Sequence, residues 1–130
     1  VQTGLVAQCL ARFGNDGQRR HWLPALVDGS AIGCFALTEP DAGSDVAAAS
    51  THARRQSDGS WRVHGQKHWI TNGGIADVMI LFATTDPAAG RAGLCAHAPV
   101  VRSRPRDSTD RRRQARGTRV CPACRNHAAR

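Results

Sequence analysis

Apolar positions follow a helical period at the start of the chain and then switch to short, strand-like runs after Ile32. Leu5, Val6, Cys9, Leu10 and Phe13 recur at helical spacing, which predicts a helix from Val1 to Phe13 that stops at Gly14. Asn15 is a natural cap for a second helix through Gln18, Arg19, Arg20 and Trp22. Leu23-Pro24-Ala25-Leu26 reads as a short further turn, because proline suits a helix start better than its interior, and Asp28-Gly29-Ser30 is turn chemistry. Cys34-Phe35-Ala36-Leu37-Thr38 predicts a short strand, and Glu39 to Asp45 a loop. Ala47 to Arg54 suits a second strand, although its alanines suit a helix equally. Ser57-Asp58-Gly59 signals a hairpin before the alternating strand Trp61-Arg62-Val63-His64. His68-Trp69-Ile70-Thr71 predicts another strand closed by Asn72-Gly73-Gly74, and the run Val78-Met79-Ile80-Leu81-Phe82 a buried one. The expected fold class is α+β: N-terminal helices, then part of an antiparallel, β-barrel-like domain.

Charge divides the chain more sharply than hydropathy does. The 130 residues carry a formal net charge of +8. Residues 1–87 hold 7 basic and 8 acidic residues, whereas 88–130 hold 11 arginines against 2 aspartates. A nucleic-acid footprint spread over a folded domain is therefore excluded, because the basic character belongs to the tail alone. Beyond Ala88 arginine, alanine and proline dominate and apolar periodicity fades, so that segment is expected to be disordered. Three parts follow: 1–31 helical, 32–87 strands, 88–130 an Arg-rich tail. The opening at Val1, already inside a helical pattern, reads as a cut from a longer protein. Five cysteines without a paired framework demand no oxidising compartment, and no apolar run reaches the length of a membrane span.

The stretch richest in chemistry is Phe35-Ala36-Leu37-Thr38-Glu39-Pro40-Asp41-Ala42-Gly43-Ser44-Asp45. A strand ends there in a hydroxyl and a carboxylate, turns at Pro40 and exposes backbone at Gly43 and Ser44. Glycine admits close approach of a ligand, and successive N–H groups in a turn form a nest for a phosphate. Thr38 can donate and accept, which suits a heterocycle edge of mixed polarity. Further on, Lys67-His68-Trp69-Ile70-Thr71-Asn72-Gly73 sets an aromatic two positions before a second hydroxyl, a sensible wall for a flat ring if the segment is a strand.

Leu37-Thr38-Glu39-Pro40 through Ala42-Gly43-Ser44-Asp45, followed by Gly65-Gln66-Lys67 and Trp69-Ile70-Thr71-Asn72-Gly73, resembles the paired signature of acyl-CoA dehydrogenases. The resemblance covers roughly residues 4–87. It implies the end of a helical domain and the first part of a middle β-domain, in an enzyme completed by a C-terminal helical bundle. It further implies an FAD cofactor contacted by Phe35, Leu37, Thr38, Gly43, Ser44, Trp69, Ile70 and Thr71. In that scheme Thr38 bonds the pyrimidine edge, Trp69 flanks the ring, Thr71 faces flavin N5, and Ser44 also contacts the acyl-CoA substrate. The implied reaction is α,β-dehydrogenation of an acyl thioester, with an electron-transfer flavoprotein as acceptor and a homo-oligomeric, cytoplasmic intact enzyme. The family's base lies in the bundle, so no catalytic base is assigned here. Glu39 and Asp45 match structural or loop roles.

Two other readings stand beside this one. The basic tail could bind nucleic acid or other polyanions non-specifically through runs such as Arg111-Arg112-Arg113, or the chain could be an inactive remnant. The abrupt shift to arginine resembles a GC-rich gene read in the wrong frame. Cys121, Cys124 and His127 mimic part of a zinc site, but a closed structural site needs four ligands, and no metal is expected.

Overall fold

The computed structural model describes residues 2–97 and the pair 119–120. Gln2–Ala7 form a π-helical stretch that runs into helix α1 (Gln8–Phe13). Gly14 ends it, its N–H bonding the Leu10 carbonyl at 2.9 Å; a Cβ at Gly14 would sit 2.5 Å from the same oxygen. Helix α2 (Asp16–Asp28) starts at a complete capping box: the Gln18 N–H donates to Asn15 Oδ1 at 2.9 Å, and the Asn15 N–H donates to Gln18 Oε1 at 3.0 Å. Pro24 lies inside α2 and does not open a separate turn, which corrects the sequence expectation. Its cost of about 3 kcal/mol is a local one. Burial of Leu26, with Trp22 and Leu23 packed against Val6 and Leu10, holds the helix on past it. Gly29, at φ 83°, then supplies the left-handed residue that ends α2.

Strands β1 (Gly33–Ala36), β2 (His52–Arg55), β3 (Trp61–His64), β4 (Val78–Thr84), β5 (Leu94–His97) and β6 (Arg119–Val120) join in one sheet. Strand β4, the continuous apolar run, is its centre. Strand β1 pairs in parallel along Val78–Leu81, and β5 pairs antiparallel along Leu81–Thr84. Strand β2 meets β4 in parallel at Thr84 alone. At Leu81 β5 faces β1 and at Thr84 it faces β2, so β1 and β2 succeed each other along one edge of β4. Strands β2 and β3 form the expected hairpin, with Gly59 at φ 79° in its turn. The α+β class holds, but the sheet is mixed, and the expectation of purely antiparallel strands is corrected. Parallel pairing of β1 with β4 needs a long crossover to bring the chain back to the same end. That crossover carries both candidate motifs.

The helical layer packs directly on β1. A Cβ at Gly33 would lie 2.7 Å from Val6 Cγ1 and 3.1 Å from Leu26 Cδ2, so only glycine fits there without a shift. Val6, Ala7, Leu10 and Leu26 join Val78 and Ile80 in one buried cluster, with Phe35 and Phe82 against it at 4.9 Å between ring centroids. Order also runs past residue 87. Pro87–Gly93 form a 3-10 helix, the Thr85 N–H bonds the Gly93 carbonyl at 2.9 Å, and Leu94 begins β5. Residues 88–97 thus depart from the disorder expected of the tail, because ladder bonds to β4 substitute for the missing apolar periodicity. Cys121, Cys124 and His127, which mimic part of a zinc site but for which no metal is expected, and the run Arg111–Arg113 lie outside the described residues. Among the described residues, no helix is long and apolar enough to cross a membrane.

Candidate functional site

The two motifs meet where β1 ends. Phe35 is on β1, half-buried, and Leu37 and Thr38 follow just past the ladder, also half-buried. The His68 N–H donates to the Thr38 carbonyl at 2.9 Å. Beside that bond, Lys67 Nζ donates to the Leu37 carbonyl at 2.9 Å and to Glu39 Oε1 at 2.7 Å. Three successive residues of the first motif are therefore held by two successive residues of the second.

Glu39 is the anchor of this junction and is only 4% exposed. Its Oε2 accepts from the Ser50 N–H at 2.6 Å and the Ser50 hydroxyl at 2.8 Å, and its Oε1 accepts from the Thr51 N–H at 3.0 Å as well as from Lys67. Burial alone pushes this carboxyl's pKa up, but the combined hydrogen bonds from Lys67, Thr51 and Ser50 overcome it and bring the pKa to about 2. Burial pulls the Lys67 ammonium below its ordinary value, against the opposing pull of Glu39. The turn after Glu39 is closed by reciprocal backbone bonds with Ala42, at 3.0 and 3.3 Å. Gly43 and Ser44 then lie exposed, and a Cβ on Gly43 would meet nothing within 4 Å. Asp45 caps the following 3-10 turn (Val46–Ala48), accepting from the Ala47 N–H at 3.1 Å.

The second motif is not a strand, and that expectation is corrected. Trp69 at φ 56° and Asn72 at φ 65° both adopt the left-handed region, which no strand ladder accommodates, and Thr71–Ile75 form a turn. The Gly73 N–H bonds the Ile70 carbonyl at 2.9 Å, and the Ile75 N–H bonds the Asn72 carbonyl at 3.0 Å. Trp69 stands 89% exposed, Thr71 is exposed, and Ile70 is half-buried. The far end of this loop is tied to the start of β1. Asn72 Nδ2 donates to the Gly33 carbonyl at 3.3 Å, the Ile32 N–H donates to Asp77 Oδ2 at 2.9 Å, and the Asp77 N–H donates to the Ile32 carbonyl at 2.7 Å. The loop thus spans β1 from start to exit. Lys67, Asn72 and Asp77 carry this geometry, and motif reading gave none of them a role. Their one legible signal is a lysine, an amide and a carboxylate flanking an otherwise apolar segment.

Comparison with known proteins agrees with this construction. The family model for the acyl-CoA dehydrogenase middle domain matches residues 34–128, which carries the likeness past residue 87. The short-chain specific acyl-CoA dehydrogenase of Megasphaera elsdenii is 42% identical over 92 residues, covering 71% of this chain and 24% of that protein. The solved structure of butyryl-CoA dehydrogenase from Megasphaera elsdenii superposes with a TM-score of 0.71 at 41% identity, covering 74% of this chain and 25% of that one. A glutaryl-CoA dehydrogenase from Mycobacterium smegmatis, solved in complex with FADH2, gives 0.65 at 42% identity, covering 72% and 23%. The chain spans about a quarter of the length of these relatives. A helical layer on β1, two loops locked at its exit and a family match over most of the sequence lead to one conclusion: the chain belongs to the acyl-CoA dehydrogenase family.

Proposed function

We propose that this chain supplies the flavin-facing half-site of an FAD-dependent acyl-CoA dehydrogenase and is inactive alone. The observation that supports the reading is the bond from the His68 N–H to the Thr38 carbonyl, which joins two motifs 30 residues apart. The residues present fit such a cofactor. Trp69 offers a solvent-facing indole plane, Thr38 and Thr71 offer hydroxyls on either side of the junction, and open space at Gly43 leaves backbone free for a phosphate. Phe35, Leu37 and Ile70 form the apolar floor, and Ser44 serves the substrate side. When bound, FAD supplies a hydride acceptor that no amino-acid side chain provides. The chain's own groups bind and orient, and neither Glu39 nor Asp45 is assigned as the base. Glu39 already accepts from four donors, and Asp45 is engaged in its cap. An acyl-CoA thioester is the substrate of the intact enzyme, an electron-transfer flavoprotein its acceptor, a homo-oligomer its state and the cytoplasm its location.

The test is a titration of the purified chain with FAD, followed by flavin fluorescence, beside Thr38→Ala and Thr71→Ala. Saturable binding weakened about 2- to 12-fold by each change, the effect of losing one hydrogen bond, supports the reading. Absence of saturable binding by the wild-type chain refutes it for this polypeptide. The tail-borne, nucleic-acid-binding alternative draws on residues outside those described, and no structural observation favours it.

A further inference from the structure

We propose that the Glu39–Lys67 ion pair is a positioning device that sets the two motif loops in register, so that Thr38, Trp69 and Thr71 are presented as one surface; this rests on the flavin reading above. Neither residue is a catalytic residue, since each acts through its neighbours. The Lys67 ammonium is shared between the carbonyl just before Thr38 and the carboxylate just after it, at 2.9 and 2.7 Å. Thr38 is therefore bracketed, and its own carbonyl takes the next N–H along, from His68. Trp69 and Asn72 follow in left-handed backbone, at φ 56° and 65°. Such backbone persists only where surrounding bonds over-determine it.

The energetics point the same way. The Lys67 and Glu39 side chains are 10% and 2% exposed, and a buried ion pair commonly gives no more stability than an apolar pair of similar volume. What it does give is direction. An ammonium with three donors and a carboxylate holding four bonds fix the angle and distance between two loops, which an apolar contact would leave free to slide. Glu39 also ties the junction to the chain entering β2, through Ser50 and Thr51. The pair thus joins both loops to the sheet.

The experiment is amide hydrogen exchange by NMR on the full chain, comparing wild type with Glu39→Gln and with the neutral double variant Glu39→Gln/Lys67→Met. The double variant leaves no unpaired buried charge and so keeps the test open if the single variant does not fold. In the double variant the expected result is faster exchange at the His68 amide, by about tenfold or more, with the Val78–Leu81 amides of β4 nearly unchanged. Glu39→Gln alone also lowers global stability, because it leaves the Lys67 ammonium buried and unpaired. An unchanged His68 amide would overturn the proposal, because something else would then set the register. Equal acceleration at every amide of the double variant, or failure of both variants to fold, would also overturn it, because the pair would then serve the fold as a whole. FAD titration of the same samples separates the two readings. If the variants show the His68 effect but the wild-type chain binds no FAD, the device stands and the flavin half-site is lost.

Discussion

Two side chains of the junction, Glu39 and Trp69, invert the usual rule of burial. The carboxylate of Glu39 is withdrawn to 4% exposure, while the indole of Trp69 stands 89% exposed a few residues beyond the lysine that pairs with Glu39. A charge inside and an aromatic outside are each costly unless something compensates. For Glu39 the compensation is internal: four donors within 3.0 Å. For Trp69, the ring neighbour among the described residues is His68, 5.9 Å away between centroids. On the proposed reading, the buried charge serves architecture and the exposed ring serves recognition. Composition alone suggests the opposite assignment, since carboxylates are the common catalytic groups and tryptophans the common core residues.

The largest break in this comparison is expected from Lys67→Met. It strands the Glu39 carboxylate among neutral donors, and urea unfolding should show a loss of about 3–5 kcal/mol. Acid should act on the same group more gradually. The folded pKa of Glu39, about 2, lies below the ordinary 4.5, so its contribution is complete above the ordinary value. That contribution falls as pH drops below 4.5 and is gone below about 2, a loss on the order of 3 kcal/mol. Stability measured against pH should therefore decline less steeply across this window in Glu39→Gln than in wild type. In the hydrophobic layer, Leu26→Ala removes a side chain buried between both helices and β1, at an expected cost of about 2–5 kcal/mol at neutral pH. Trp69→Ala should be the smallest, within about 0.5 kcal/mol in the same unfolding assay, because the indole is exposed.

What was legible in the sequence follows the range of the interactions. Asn15 and Gln18 are three residues apart, and their capping box could be anticipated from the cap alone because its partners are local. The hairpin around Ser57-Asp58-Gly59 was legible for the same reason. Pro24 misled because its helix-breaking cost is local whereas the packing of Leu26 that outweighs it is not. The segment 68–71 misled because apolar and β-branched residues suggest a strand, yet it finds no ladder partner, and Asn72 extends the turn backward. The proposed site residues were read chiefly from a family signature. Their junction depends on Lys67 reaching a carboxylate 28 residues earlier, a distance over which no local pattern carries information. Parallel pairing of β1 with β4 was hidden likewise, since the sign of a strand pair is set by the crossover between them.

If Trp69 is exposed in order to meet a flavin, an FAD titration of Trp69→Ala against wild type will show it. The expected result is saturable binding by the wild-type chain, weakened about 2- to 12-fold by the substitution as one aromatic stacking contact is lost, with an unchanged unfolding midpoint. Equal affinity of the two proteins, or no binding by either, would contradict it.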